Sequence, residues 1–125
     1  MSILIFLACA KDPNAPPEIA YDLAACADCG MLVSDPTYAS ALVTKDDITL
    51  AFDDPGCLFH YMVQKAPAVR AMWFHDGAQD RWLREHDVAF APGANSPMGS
   101  GLRPVPVGTP GALTVGEAST RALSP

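Results

Sequence analysis

The chemistry-bearing part of this chain is Cys26-Ala27-Asp28-Cys29-Gly30-Met31. Two thiols stand three positions apart, a glycine permits a tight bend after them, and a thioether follows at once. Soft sulfur donors at that spacing suit a thiophilic ion such as Cu(I), or a structural Zn(II) completed by a second ligand pair elsewhere. The Cys-x-x-Cys pair alone also fits a redox couple, half of a zinc site or a disulfide. Gly30-Met31 narrows these choices, because methionine has no place in a zinc site or in thioredoxin-type exchange. Metal binding is the expectation.

Further donors are separated along the chain. Cys57-Leu58-Phe59-His60 has Cys-x-x-His spacing, so Cys26, Cys29, Cys57 and His60 make a Cys3His zinc site by spacing. That assignment leaves Met31 and Met98 without a task. Met98 lies between Pro97 and Gly99, in a segment from Pro92 to Gly101 that turn chemistry marks as a loop. Its thioether is neutral at every pH, so it binds Cu(I) where a histidine would be protonated. Met62, by contrast, shares a helical face with Leu58 and Tyr61 and reads as core. Asp53 and Asp54 read as a helix cap and not as an acid–base couple. No nucleophile–base pair is found, so an enzyme is not expected. His75 and His86 flank turns and are expected at the surface.

The elements that must position these donors are short. With 125 residues, the chain has room for one small domain or two very small units sharing a core. Half the residues are hydrophobic, which supports a modest core, and twelve prolines favour loops over long helices. A net charge of −6 without a Lys/Arg cluster excludes a nucleic-acid binder. No apolar run is long enough to span a bilayer.

Ser2 to Cys9 is apolar and ends Leu7-Ala8-Cys9, the form of a bacterial lipoprotein signal whose cysteine is lipidated; its true start would lie upstream. A buried first strand is the alternative. Lys11 to Pro17 then reads as a proline-rich tether, so residues 1–24 are expected to be signal and tether. Tyr38–Thr44 and Ile48–Phe52 read as a hairpin, followed by a helix from Pro55 to Lys65 that Asp53-Asp54-Pro55 starts and Pro67 stops. Ala68–Phe74 reads as a strand, with short apolar pieces at Trp82-Leu83 and Val88–Phe90 and one more at Leu102–Val107. Residues 108–125 are small and unpatterned and are expected to be a disordered tail.

Taken together, Cys29-Gly30-Met31, Phe52-Asp53-Asp54 with Gly56-Cys57-Leu58, and Asn95-Ser96-Pro97-Met98-Gly99 resemble the NosL family in kind and order. These are copper-binding accessory lipoproteins of nitrous oxide reductase. The resemblance spans roughly Ala25 to Leu102. It implies an α+β fold of two small ββα-type units, related in shape to the organomercurial lyase MerB, with the domain over residues 25–107. It also implies Cu(I) held by Cys29, Met31 and Met98; Cys26, Cys57 and His60, grouped by spacing, are secondary or alternative ligands. Lipidation at Cys9 on the periplasmic side of a membrane would accompany it. The implied partners are copper donor and acceptor proteins of the nitrous oxide reductase assembly machinery. One departure stands out: Arg103 onward is too rich in proline to continue as a helix, so the second unit is expected to be truncated. A zinc-stabilised interaction module is the competing expectation. An organomercurial-lyase-like enzyme is a third, which would leave the methionines idle.

Overall fold

The computed structural model describes residue 12 and residues 14–124. Cys9 and the apolar segment before it lie outside the described residues, and the lipidation expectation lies there with them.

Among the described residues, the first helical element is a short 3-10 turn, Pro36–Tyr38, capped by the Asp35 side chain. Strands β1 (Ser40–Thr44) and β2 (Thr49–Phe52) form the expected hairpin, with Ser40 opposite Phe52. Helix α1 (Pro55–Lys65) follows. Asp54 is its N-cap, with the side chain accepting from the Gly56 N–H, and Pro55 sits at the first helical position, where its missing N–H costs nothing. The helix stops at Ala66, whose left-handed φ of 42° turns the chain out before Pro67.

Strands β3 (Val69–Asp76) and β4 (Arg81–Arg84) add to the hairpin, giving an antiparallel sheet in the order β2-β1-β3-β4. Strands β5 (Val88–Ala91) and β6 (Arg103–Pro106) pair as a second antiparallel sheet. Helix α2 (Val115–Leu123) closes the fold against α1 and β5. The protein is therefore a small α+β domain of six strands and two helices among the described residues.

Alternation along β1 splits the core in two. Leu42 faces Phe52, Phe74, Leu58, Phe59 and Phe90 in the main core beneath α1. Ala41 and Val43 face the other way, onto Ala71 and Trp73. Phe59, Phe74 and Phe90 meet with ring centroids 5.0–5.9 Å apart, joining helix α1 to both sheets.

Three expectations are corrected here. Residues 108–125 are not an unpatterned tail, because they contain α2. Thr114 and Glu117 form a reciprocal capping box, and Ala118 is fully buried. The second unit is accordingly not truncated. Arg103–Pro106 makes a strand, as its prolines allow at a sheet edge, and the helix comes one turn-rich loop later. His75 is also not at the surface. β3 runs on through Asp76, so the ring is buried, 2.7 Å from the Pro36 carbonyl and 3.0 Å from the Asp80 carboxylate, with its edge toward Trp82. His86 is exposed, as expected.

Candidate metal centre

The Cys-x-x-Cys segment is a closed loop. The Cys26 N–H donates to the Met31 carbonyl at 2.7 Å, and the Gly30 N–H donates to the Cys26 carbonyl at 3.0 Å. Gly30 has φ +80°, the left-handed conformation that glycine adopts without a Cβ penalty. Ala25 and Leu32 bridge across the base of this loop. The Ala27 N–H then donates to the Ala51 carbonyl at 2.8 Å, which ties the loop to the end of β2. That docking places Cys26 and Cys29 beside Asp53, the residue following β2, and beside Cys57 in the first turn of α1.

The sulfurs of Cys26, Cys29 and Cys57 and a carboxylate oxygen of Asp53 all lie within 4.8 Å of one another. Cys26, Asp53 and Cys57 are buried, and Cys29 is partly exposed. All three cysteines are free thiols. The Cys29 thiol donates to Asp53 Oδ1 at 3.3 Å, and the Cys29 N–H points at the Cys26 sulfur at 3.5 Å. Four acidic groups thus share one small volume. Among the described residues, no Lys, Arg or His side chain forms an ion pair with any of them. This group could hold a metal ion.

The proton distribution follows from the same packing. The neighbouring Cys57 thiol favours the Cys26 thiolate, and backbone N–H groups around Cys26 add to that; together they outweigh burial and hold Cys26 down at about 6. Cys26 in turn pushes Cys57 well above the ordinary thiol range, with burial adding to it. Burial raises Cys29 to about 11, assisted by its bonds toward Cys26 and Asp53 and opposed by the Met31 N–H. One sulfur is therefore ready to bind a soft cation at neutral pH.

Of the residues singled out by sequence, Cys26, Cys29 and Cys57 are brought together. His60 is not part of the four-donor group, and Asp53 takes that place, so the Cys3His assignment is corrected to Cys3Asp. His60 lies one helical turn beyond Cys57, and its ring is turned to Asp28, with Nδ1 2.7 Å from Oδ1. A cavity of about 260 Å³ lies over the cluster, lined by Cys29, Cys57, His60, Met98 and Asp28 among others. Met98 is half-exposed there. Met31 is 60% exposed beside Cys29 and does not line that cavity.

The Met98 loop is held at this place by Asp54. Its fully buried carboxylate accepts from the Met98 N–H at 2.9 Å, from the Gly56 N–H at 2.8 Å and from the Ser100 hydroxyl. Ser96 and Ser100 contact each other and close the loop. Gly56 permits the close approach: a Cβ there would fall 2.7 Å from that of Ser100.

Asp53 is the donor that sequence reasoning missed. Both aspartates read as cap residues, yet one N-cap needs one side chain, and Asp54 fills that role alone. The surplus carboxylate in the doublet was the available signal.

No protein-family model, no curated protein and no solved structure matches this chain. The class is defined by the fold and the site themselves: a small α+β protein with a Cys3Asp group able to hold a metal ion.

Proposed function

We propose that this protein is a Cu(I) metallochaperone, a carrier and not a catalyst. The observation that carries this is the convergence of three sulfurs under a solvent-open cavity that Cys29, Cys57 and Met98 line together. Thiolates and thioethers prefer the soft monovalent ion. A carrier also needs an accessible site, so that a partner's sulfur ligands can displace its own. Cys29 and Met98 are the exchangeable donors in this reading, with Met31 adjoining Cys29 and the thiols of Cys26 and Cys57 beneath. Asp53 supports Cys29 through their hydrogen bond.

The NosL resemblance of Cys29-Gly30-Met31 and Ser96-Pro97-Met98-Gly99 supports the destination. Copper would pass to the nitrous oxide reductase assembly machinery on the periplasmic side, from a domain anchored through a lipid on Cys9. Asp12 and Asn14 to Pro16 are exposed, as a tether between anchor and domain requires.

Anaerobic competition of Cu(I) against Zn(II) on the full chain tests the proposal. One Cu(I) should bind in preference to zinc, and Cys29→Ser should nearly abolish binding. Met98→Ala should weaken it by at least roughly ten-fold, the low end of what supporting groups around a metal contribute, with the fold intact. A silent Met98→Ala would end the reading.

Asp53 favours one rival, a zinc-stabilised module, because a carboxylate oxygen is an ordinary zinc donor beside thiolates. That reading requires Asp53→Asn to release the metal and melt the domain. The copper reading requires Asp53→Asn to keep Cu(I) preference.

A further inference from the structure

Two groups at the cavity remain unused by the cluster below it. His60 stands on α1 one turn past Cys57, with its side chain 53% exposed. Its Nδ1 is 2.7 Å from Asp28 Oδ1, and Asp28 lies between the two cysteines of the Cys-x-x-Cys loop. A carboxylate only accepts, so Nδ1 carries the proton and the neutral ring keeps its lone pair on Nε2. A carboxylate behind one ring nitrogen is how metal-binding histidines are commonly oriented for coordination through the other.

The second group is the Met98 thioether, half-exposed and lining the same cavity as His60, Cys29 and Cys57. Donor exposure therefore falls from the cavity mouth inward: His60 and Met98 are open to solvent, Cys29 is partly covered, and Cys57 and Cys26 are buried at 5% and 3%. An ion arriving from solvent or a partner meets the imidazole and thioether before it meets the thiols.

We propose that His60 Nε2 and Met98 form an outer, weaker Cu(I) position, through which the ion enters and leaves the thiol cluster, with Asp28 as the positioning residue for the ring. Transfer is ligand exchange. Bonds from copper to Nε2 and the Met98 sulfur form as the carrier's ligands depart. The Nε2 bond is then replaced by bonds to Cys29 and Cys57, while Met98 stays bound. Copper remains monovalent throughout, and each thiol that binds releases its proton to solvent. This inference rests on the copper reading above and assigns His60 a role outside the four-donor group.

The test uses the full chain, held anaerobically, with Cu(I)–bicinchoninate as the copper source and two readouts. The protein has three histidines, so the ring nitrogens of His60, His75 and His86 can be followed separately by NMR. The first equivalent of Cu(I) should leave the His60 ring unmoved, and the second, held by Nε2 with the Met98 sulfur exchanging between the two positions, should shift the Nε2 signal, while His75, with both nitrogens engaged, stays still. In stopped flow, His60→Ala should take copper from the chelator about ten-fold more slowly, with the affinity for the first equivalent unchanged. Asp28→Ala should slow uptake similarly, and Asp28→Asn, which keeps an acceptor for Nδ1, should recover part of the rate.

A His60 ring that stays still at two equivalents overturns the inference alone, as does an unchanged uptake rate in His60→Ala. A ring that moves with the first equivalent also overturns it, by making His60 a resident ligand. Failure to bind a tight first equivalent at all sinks the chaperone reading and this inference with it.

Discussion

Cys26 carries the clearest consequence of crowding three thiols. Its value is held down at about 6, against an ordinary 9.0, chiefly by the neighbouring Cys57 thiol. A group whose value is lowered by folding stabilises the fold in its ionised form. That contribution is complete above pH 9, and it is lost as pH falls through about 6. Cys29, raised to about 11, and Cys57, raised further, hold their protons more tightly when folded. Their contribution is present below pH 9 and is lost as pH rises past it. Metal-free protein should therefore gain stability from pH 6 upward, level off near 9 and weaken above it. Denaturant midpoints measured across that range check this, and Cys26→Ser should remove the rise. A wild-type profile without the rise would show that the Cys57 thiol does not favour the Cys26 thiolate.

At the level of elements, the N-terminus of α1 is where the site is assembled. It presents Cys57, it follows Asp53 directly, and its cap residue Asp54 also grips the Met98 loop. Losing a cap alone costs about 0.5–2 kcal/mol. Asp54→Ala should cost more than that upper figure, because three donors lose a buried acceptor at once, each worth about 1–3 kcal/mol when left unpaired. It should also weaken Cu(I), and in a double mutant with Met98→Ala the two losses should fall short of adding. Additive losses would mean that Asp54 acts only as a cap. Gly56→Ala is the complementary probe. It keeps the carboxylate but pushes Ser100 away, so it should lower copper affinity with the helix still formed, as circular dichroism would show.

For the whole molecule, the decisive feature is that the four-stranded sheet with α1 and the β5–β6 pair with α2 meet through the two helices and the phenylalanine cluster, beneath a cavity that opens to solvent. No described helix is long and apolar enough to cross a membrane. Attachment in the proposed reading depends on Cys9, whose acyl chains would contribute about 0.8 kcal/mol per buried methylene. Cys9→Ser should move the protein from the membrane to the soluble fraction on cell fractionation. A wild-type protein that is already soluble would remove the anchor from the proposal.

Local chemistry was legible in the chain before any fold was known. Asp54-Pro55 and Pro67 bracket α1 because cap and proline preferences act within one turn. The hairpin of β1 and β2, the loop around Met98 and the grouping of Cys26 with Cys29 are short-range in the same sense. Helix α2 is equally local, with Thr114 and Glu117 in plain view; its residues segregate into two faces, but they are small and carry little apolar bulk, so the segment reads as unpatterned. The fourth donor was a different matter. Asp53 and His60 flank Cys57 at comparable distance in sequence, so spacing could not choose between them. The choice was made when the cysteine loop docked on the end of β2 through the Ala27–Ala51 hydrogen bond, bringing Asp53 against Cys29 and leaving His60 to Asp28. Which side chains meet across twenty-four or more positions is set by packing, and packing is a property of the assembled sheets and helices.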